Sequence, residues 1–217
     1  MNKQILVALL GILVTTRAGA AVGRGGDYSL LGAETVAPGN DVLSGAFGWP
    51  DTSFMFTHGL SNNSDVGVRL SFIYGFENRA DIDSQFGLGL GVPLRFSLAP
   101  HGTVRFLFHI DPGLRLYTYS PAWFGFQAPF GINLEFPAKP PLRIGIGADF
   151  NATFFVTGDG TPAFVFGPLI GPYLEYRIDP RVTIGVDTRF GAIVDAAKPG
   201  TDSGFGLRVQ GMLAYRM

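Results

Sequence analysis

The stretch Phe205–Met217, FGLRVQGMLAYRM, decides the fold prediction for this chain. Every second residue in it is apolar, aromatic or glycine, and the residues between them include Arg208, Gln210 and Arg216. A period of two is typical of a β-strand whose two faces meet different surroundings. We therefore predict a two-faced strand that runs to Met217.

The same alternation recurs along the chain, between turns that carry glycine, proline, asparagine and aspartate. The alternating stretches lie at 42–49, 52–60, 66–77, 86–98, 104–116, 130–136, 142–154, 164–177 and 182–195. Short turns lie near 61–65, 99–102, 137–141 and 179–181, and the mostly longer connections lie near 78–84, 120–125, 157–161 and 196–204. We predict an all-β protein, an antiparallel up-and-down β-barrel of about ten strands, with eight as the lower count.

The composition excludes several classes of protein. A formal net charge of −1 over 217 residues offers no basic surface to nucleic acid, so we expect no nucleic-acid partner. Only 15% of the residues are charged, Lys occurs only at positions 3, 139 and 198, and there are 31 Gly and 20 Phe. A water-facing surface normally carries more charge and more Lys. The chain has no Cys, which excludes disulfides, thiolate metal sites and a lipid-anchored cysteine.

The first residues have the features of a cleaved signal peptide. An early lysine precedes an apolar run at 5–14, and small residues form a cleavage site that ends at Ala20. That run is about half of the roughly 20 residues that a spanning helix needs. Charges or prolines interrupt every later apolar stretch, so a membrane location requires a barrel. We expect a signal peptide at 1–20, a periplasmic lead-in at 21–41 and a barrel at 42–217.

Alternation alone leaves open which face of the barrel is outside, because a water-soluble lipocalin-like barrel has the same pattern with its apolar face inward. Large Phe, Leu, Ile and Val side chains occupy one face of nearly every strand, too many for the interior of a small barrel. The other face holds glycine and nearly balanced Arg and Asp/Glu, which suit bidentate pairs in a closed lumen. We therefore predict an apolar exterior and a lumen charge network of Arg69, Arg95, Arg105, Asp111, Arg115, Glu135, Arg143, Asp149, Glu175, Arg177, Asp187, Arg189 and Arg208.

The strand pattern, the alternating connections and the last strand resemble the small outer-membrane β-barrels of Gram-negative bacteria over residues 42–217. The C-terminal signal strand of that family usually ends in Phe or Trp, where this chain has Met217. The resemblance implies a transmembrane barrel in the bacterial outer membrane, in contact with lipid and lipopolysaccharide, and assembled by the outer-membrane barrel assembly machinery through residues 205–217. It also implies aromatic side chains at the membrane interfaces, and the candidates are Trp49, Tyr74, Tyr119, Trp123, Phe136, Tyr176 and Tyr215.

His109 and Asp111 are the candidates for catalysis, since they share the lumen face of one predicted strand and suit a general acid/base pair. The pair resembles those of the omptin proteases, ten-stranded barrels in which Asp–His and Asp–Asp pairs activate water, although the order here is reversed and no second acidic pair accompanies it. His58, near Ser61 and facing lipid, resembles the Ser–His pairs of outer-membrane lipid A deacylases and phospholipases.

No metal or cofactor is predicted. The loop carboxylates Asp81 and Asp83 are too few for a Ca²⁺ site, and GLGLGVP at 87–93 is strand alternation rather than a phosphate-binding loop. The first functional prediction is a non-enzymatic barrel with a structural or interaction role and a lumen filled by Arg–carboxylate pairs. A narrow passive pore for small solutes is the alternative, because ten strands lie near the closed end of the size range. A membrane-embedded hydrolase that uses His109 and Asp111 is the third.

Overall fold

The computed structural model describes residues 28–81, 86–99, 104–118, 122–136, 138, 140–156, 158, 160–196 and 202–217. The predicted signal peptide and Tyr119 lie outside the described residues. Within the described ranges the chain is all-β, with strands β1 (Asp41–Trp49), β2 (Asp51–Ser61), β3 (Ser64–Ile73), β4 (Gly87–Gly91), β5 (Leu94–Ala99), β6 (Arg105–Ile110), β7 (Gly113–Tyr117), β8 (Trp123–Gln127), β9 (Phe130–Phe136), β10 (Leu142–Val156), β11 (Pro162–Arg177), β12 (Val182–Asp195) and β13 (Asp202–Arg216). These ranges contain no helix of the length and hydropathy that crossing a bilayer requires.

The strands form one closed antiparallel barrel. Strand β1 pairs with both β2 and β13, and β10 pairs with β11, so the sheet closes on itself. Strands β4 and β5 continue one another along a single barrel strand, as do β6 and β7, and β8 and β9. The barrel therefore has ten strands, and the predictions of an all-β antiparallel barrel and of its strand number are confirmed.

Proline explains the three interrupted strands. Pro93, Pro112 and Pro129 each stand between two halves, and proline has no N–H to donate to a neighbouring strand. The proline carbonyls still accept backbone hydrogen bonds from the neighbouring interrupted strand. Val92 N donates to Pro112 O at 2.8 Å, and Asp111 N donates to Pro129 O at 2.9 Å. The interruptions thus form a row across adjacent strands at one level of the barrel.

The apolar face of the strands points outward. Strand β12 illustrates this, since Ile184, Val186 and Phe190 are exposed while Asp187 and Arg189 are fully buried. The same outward exposure of large apolar side chains is found on every strand of the barrel. A lipocalin-like barrel has its apolar face inward, and the described strands of this chain have the opposite arrangement.

Both ends of the lumen are filled. At the end with the short turns, residues 28–37, which we call the plug, enter the barrel and are mostly buried. This stretch belongs to the predicted periplasmic lead-in at 21–41, and its described part packs inside the barrel. At the end with the longer connections, which we call the long-loop end, the interior holds an apolar cluster of Ile73, Phe76, Tyr117, Phe155, Ala163, Val165, Leu169 and Ile193.

Candidate functional site

The middle of the lumen holds a cluster of four charged side chains. Asp187 and Arg189 on β12 are fully buried, and Arg208 on β13 lies directly opposite Arg189. Adjacent arginines repel each other, and the carboxylates of Asp149 and Asp187 offset that repulsion. Asp187 lies 3.1 Å from Arg189 Nη2 and 2.8 Å from Arg208 Nη2, and Asp149 contacts both arginines. Every charge of the cluster is therefore paired, as buried ions require.

His109 joins this cluster through Asp149 and not through Asp111. Its Nε2 lies 3.1 Å from Asp149 Oδ1, across Gly131 on the intervening strand. A Cβ at Gly131 would lie 2.7 Å from His109 Nε2, so the glycine makes room for the contact. Asp111 forms an ion pair with Arg69 instead. The predicted pairing of His109 with Asp111 is not formed, because His109 contacts Asp149 and Asp111 contacts Arg69.

Glu175 on β11 holds the plug inside the barrel. Its carboxylate accepts a 2.7 Å hydrogen bond from Ser29 Oγ and further hydrogen bonds from the backbone N–H groups of residues 30–32. Glu175 and Ser29 are each only 1% exposed. The plug therefore satisfies a buried carboxylate that would otherwise lose its hydrogen bonds to water.

Arg95 and Asp65 form a second attachment of the plug. Arg95 Nη2 lies 2.6 Å from Asp65 Oδ2, and Arg95 Nη1 donates a 2.8 Å hydrogen bond to Ser29 O. Asp65 also accepts a 2.8 Å hydrogen bond from Val36 N. One ion pair of the wall thus contacts both ends of the plug.

Glu34 of the plug completes a third attachment. It lies 2.7 Å from Arg105 Nη1 and also pairs with Arg143. Both arginines contact Glu135, whose carboxylate accepts a 2.9 Å hydrogen bond from Ala33 N. Arg105 and Arg143 therefore face the carboxylates of Glu34 and Glu135. The two positive charges are balanced only when Glu34 of the plug is in place.

The start of the plug is tied to the short turn after β11. Tyr28 OH donates a 3.1 Å hydrogen bond to Arg181 O, and Arg177 Nη2 donates a 3.3 Å hydrogen bond to Tyr28 O. Burial raises the pKa of Tyr28, so its hydroxyl remains a donor at neutral pH. Arg177, a predicted lumen residue, thus contacts the plug.

Glu77 extends the charged network towards the long-loop end. Its carboxylate accepts hydrogen bonds from Tyr117 OH at 2.9 Å and Thr153 Oγ1 at 2.6 Å, and Arg115 Nη1 lies 3.1 Å away. Arg115 belongs to the predicted lumen network, and Glu77 lies on the polar face of the predicted alternating stretch 66–77. The predicted network did not include Glu34 or Asp65. Glu34 lies outside the regular strands, where alternation carries no signal.

Aromatic rings fill the interior above Glu77. The Phe76 ring centroid lies 5.3 Å from that of Tyr117 and 5.8 Å from those of Trp123 and Phe155. Trp123 therefore faces the interior, and its assignment to an interface girdle is wrong. Phe124 takes the outward position. The local sequence has aromatic residues on both faces, so alternation alone does not identify the outward one.

The other predicted interface aromatics have different surroundings. Phe136, Tyr176 and Tyr215 are exposed on the outside, near the short-turn ends of their strands. Trp49 and Tyr74 contact each other at the long-loop end, with ring centroids 6.1 Å apart. The exterior therefore carries aromatic rings near the short-turn ends and a ring pair at the long-loop end.

His58 is exposed on the outside near the short turns. Its Nδ1 lies 2.7 Å from Asp41 Oδ1, whereas Ser61 Oγ forms hydrogen bonds with Ser64 Oγ and Asn63 Oδ1. The predicted Ser–His pair is therefore not formed. In the described part of the chain, no group of three or more His, Asp or Glu residues is arranged to hold a metal ion.

The lumen retains small cavities between these clusters. A cavity of about 150 Å³ lies between the plug residues Leu30 and Leu31 and the side chains of Arg69 and His109. A second cavity, of about 80 Å³, lies on the other side of Arg69 and His109 and reaches Asn78. The plug, the charged side chains and the apolar cluster therefore interrupt the lumen at three levels.

No family model matches the sequence, and no curated protein matches it significantly. The geometry of the chain itself therefore carries the functional argument.

Proposed function

We propose that this protein is an integral β-barrel of the bacterial outer membrane, with a structural or interaction role rather than an enzymatic one. The orientation of the two faces carries the proposal. Large apolar side chains are exposed around the whole closed barrel, with Ile170 at 52% and Phe190 at 47% exposure. Such a surface is unfavourable in water and favourable in hydrocarbon. Lipid and lipopolysaccharide are then its surroundings.

The strand lengths support a membrane-spanning barrel. Strands β10, β11, β12 and β13 contain 15, 16, 14 and 15 residues. About 9–11 tilted residues are enough to cross the hydrocarbon core. Export through the signal peptide at 1–20 and insertion by the barrel assembly machinery through residues 205–217 belong to the same proposal.

The filled lumen favours a closed barrel over a passive pore. The plug is attached at Glu175, at Asp65 and at Glu34, and the central charges are paired with one another. An ion that enters this lumen would have to displace buried ion pairs, which is costly. A barrel of ten strands is also narrow enough for side chains to fill most of its interior.

Conductance across a planar bilayer tests the closed state. The purified protein is added to one side, with protein-free detergent as the control. We expect no steps in the current beyond those of the control. A steady ohmic step that appears only with the protein would contradict the closed barrel and favour the pore.

A further inference from the structure

The barrel wall has a seam at the long-loop end, beside β13. Strands β1 and β2 are joined there by Pro50 alone, and the pairing of β1 with β13 stops at Trp49, opposite Val209. Strand β13 begins earlier, at Asp202, and pairs with β12 along its whole length. Residues 202–208 of β13 therefore pair with β12 on one edge and lie beyond the end of β1 on the opposite edge.

The connection after β3 closes this seam. In residues 74–81, Ala80 N donates a 3.0 Å hydrogen bond to Phe205 O, and Leu207 N donates a 2.8 Å hydrogen bond to Asn78 O. An isolated bridge lies between these two bonds. The seam is thus held by a short piece of ladder, whereas the β12–β13 border is a continuous one.

The apolar cluster of the lumen lies directly behind the seam. A Cβ at Gly206 would lie 2.6 Å from Leu169 Cδ2 and 2.8 Å from Ile193 Cγ1, so the seam backbone rests on these side chains. Phe76 comes from the seam segment itself and stacks on Phe155. The segment that closes the wall therefore also supplies a ring that fills the space behind it.

The outer surface at the seam is apolar as well. Phe47, Phe205 and Val209 are exposed there at 48%, 54% and 41%. The seam segment is therefore the barrier between an apolar exterior and an apolar interior.

Arg79 adds a polar anchor to the seam. Its side chain is 2% exposed and lies 2.6 Å from Asp81 and 3.1 Å from Asp202. The hydrogen bond from Arg79 holds the pKa of Asp81 below its usual range. Arg79 Nη1 has no hydrogen-bond partner among the described residues. A buried guanidinium with an unused donor suits an anionic oxygen of a ligand.

We propose that the seam is a lateral entrance for an anionic lipid, whose acyl chain takes the place of the Phe76 ring among the interior aromatics. Its anionic head group binds at Arg79 Nη1. The inference rests on the proposed membrane location, which supplies the ligand. The cluster behind the seam consists of aromatic and aliphatic side chains, so it favours a hydrocarbon chain over a sugar or an ion.

Trp123 packs against the apolar cluster, so its fluorescence reports whether a lipid chain enters there. The chain has 2 Trp, so Trp49→Phe leaves Trp123 as the single tryptophan, which is excited selectively over tyrosine. The variant is reconstituted in vesicles of phosphatidylglycerol with either brominated or ordinary acyl chains, since bromine quenches tryptophan at close range. We expect lower Trp123 fluorescence in the brominated vesicles.

A disulfide across the seam provides the matched comparison. The chain has no Cys, and Ala80 and Phe205 are exposed neighbours across the seam, so Ala80→Cys with Phe205→Cys locks it under oxidising conditions. We expect the lock to prevent the quenching of Trp123 and a reductant to restore it. Equal quenching of Trp123 with the seam locked and open, or no quenching in either state, would overturn the lateral entrance.

An outward tryptophan separates this inference from the proposed membrane location. Phe124 is 52% exposed, so Phe124→Trp in a background without Trp49 and Trp123 places the only Trp on the exterior. We expect its quenching in brominated vesicles whether the seam is locked or open. If it is not quenched, the membrane location fails and the entrance fails with it. If it is quenched while Trp123 does not respond to the lock, only the entrance fails.

A comparison of an anionic with a zwitterionic lipid tests whether the head group binds at Arg79. With the seam open, brominated phosphatidylglycerol should quench Trp123 more than brominated phosphatidylcholine does, and Arg79→Gln should remove the difference. Equal quenching by the two lipids in the protein with Arg79 would overturn the anionic head group.

Discussion

Ser29 Oγ donates a 2.7 Å hydrogen bond to Glu175, although the two residues are 146 positions apart in the sequence. The bond joins the plug to β11, and both residues are buried. Through it, one wall carboxylate binds a segment that lies outside the strands and inside the lumen.

Glu175→Gln tests this attachment. The amide would place N–H groups against the N–H donors of residues 30–32, so we expect a loss of about 2 kcal/mol in the free energy of unfolding. Chymotrypsin should then cut within residues 28–37, which contain Tyr28 and two leucines. Ser29→Ala removes a single donor and should cost about 1 kcal/mol. If chymotrypsin cuts the plug no faster in the Glu175→Gln variant than in the unchanged protein, Glu175 does not hold the plug inside the barrel.

Asp187→Asn tests the central charge cluster. Removing this carboxylate leaves Arg189 and Arg208 with Asp149, so we expect a loss of about 3 kcal/mol in the free energy of unfolding, measured in urea with the protein in lipid vesicles.

Asp41→Asn is the control for the charge cluster, because the Asp41–His58 pair is exposed on the outside. We expect a cost of about 0.5 kcal/mol there. Similar losses in the free energy of unfolding for Asp187→Asn and Asp41→Asn would show that the central ion pairs do not stabilise the barrel.

Arginine on the exterior tests whether that face meets lipid. Ile170 lies in the middle of β11, and Ile178 lies in the following turn, with exposures of 52% and 56%. In a bilayer, Ile170→Arg should cost about 2–4 kcal/mol and Ile178→Arg about 1 kcal/mol or less. The free energy of unfolding in vesicles provides the comparison. If both substitutions are equally harmless, the exterior at Ile170 does not face hydrocarbon.

His109→Ala tests the hydrolase alternative. Asp149 is already paired with Arg189 and Arg208, which disfavours its acting as a base beside His109. We expect the same activity profile towards lipid and peptide substrates before and after the substitution. A hydrolytic activity that disappears with His109 would restore the enzymatic alternative.

Gly131→Ala probes the close contact between His109 and Asp149. The added Cβ would lie 2.7 Å from His109 Nε2 and would push the two side chains apart. We expect it to destabilise the barrel more than His109→Ala does, because it also crowds the buried Asp149. If Gly131→Ala lowers the free energy of unfolding in urea less than His109→Ala does, the structure accommodates a side chain at position 131.

The barrel was predictable because side chains alternate between the two faces of a strand, so two different environments give a sequence pattern with a period of two. In β10, Arg143, Gly145 and Asp149 alternate with Ile144 and Ile146, and this pattern locates both the strand and its faces. The lumen residues followed from the same alternation. Buried Arg–carboxylate pairs such as Arg189–Asp187 and Arg208–Asp187 are present in the structure.

The plug was not predictable from such a pattern. Residues 30–32 bind Glu175 through backbone N–H groups, which every amino acid except proline supplies, so their side chains carry no signal. The partner of His109 was missed for a related reason. Gly131 determines that contact by lacking a side chain, and its effect depends on a register between strands that alternation does not give.

We propose above all that the barrel is embedded in the outer membrane. The most direct test is the gel mobility of the detergent-extracted outer-membrane fraction, loaded in dodecyl sulfate with and without boiling. We predict that the protein is found in that fraction, runs at a different position before boiling, and shows a β-rich circular dichroism spectrum in detergent. A protein that is soluble in the periplasm and shows no shift would contradict the membrane location.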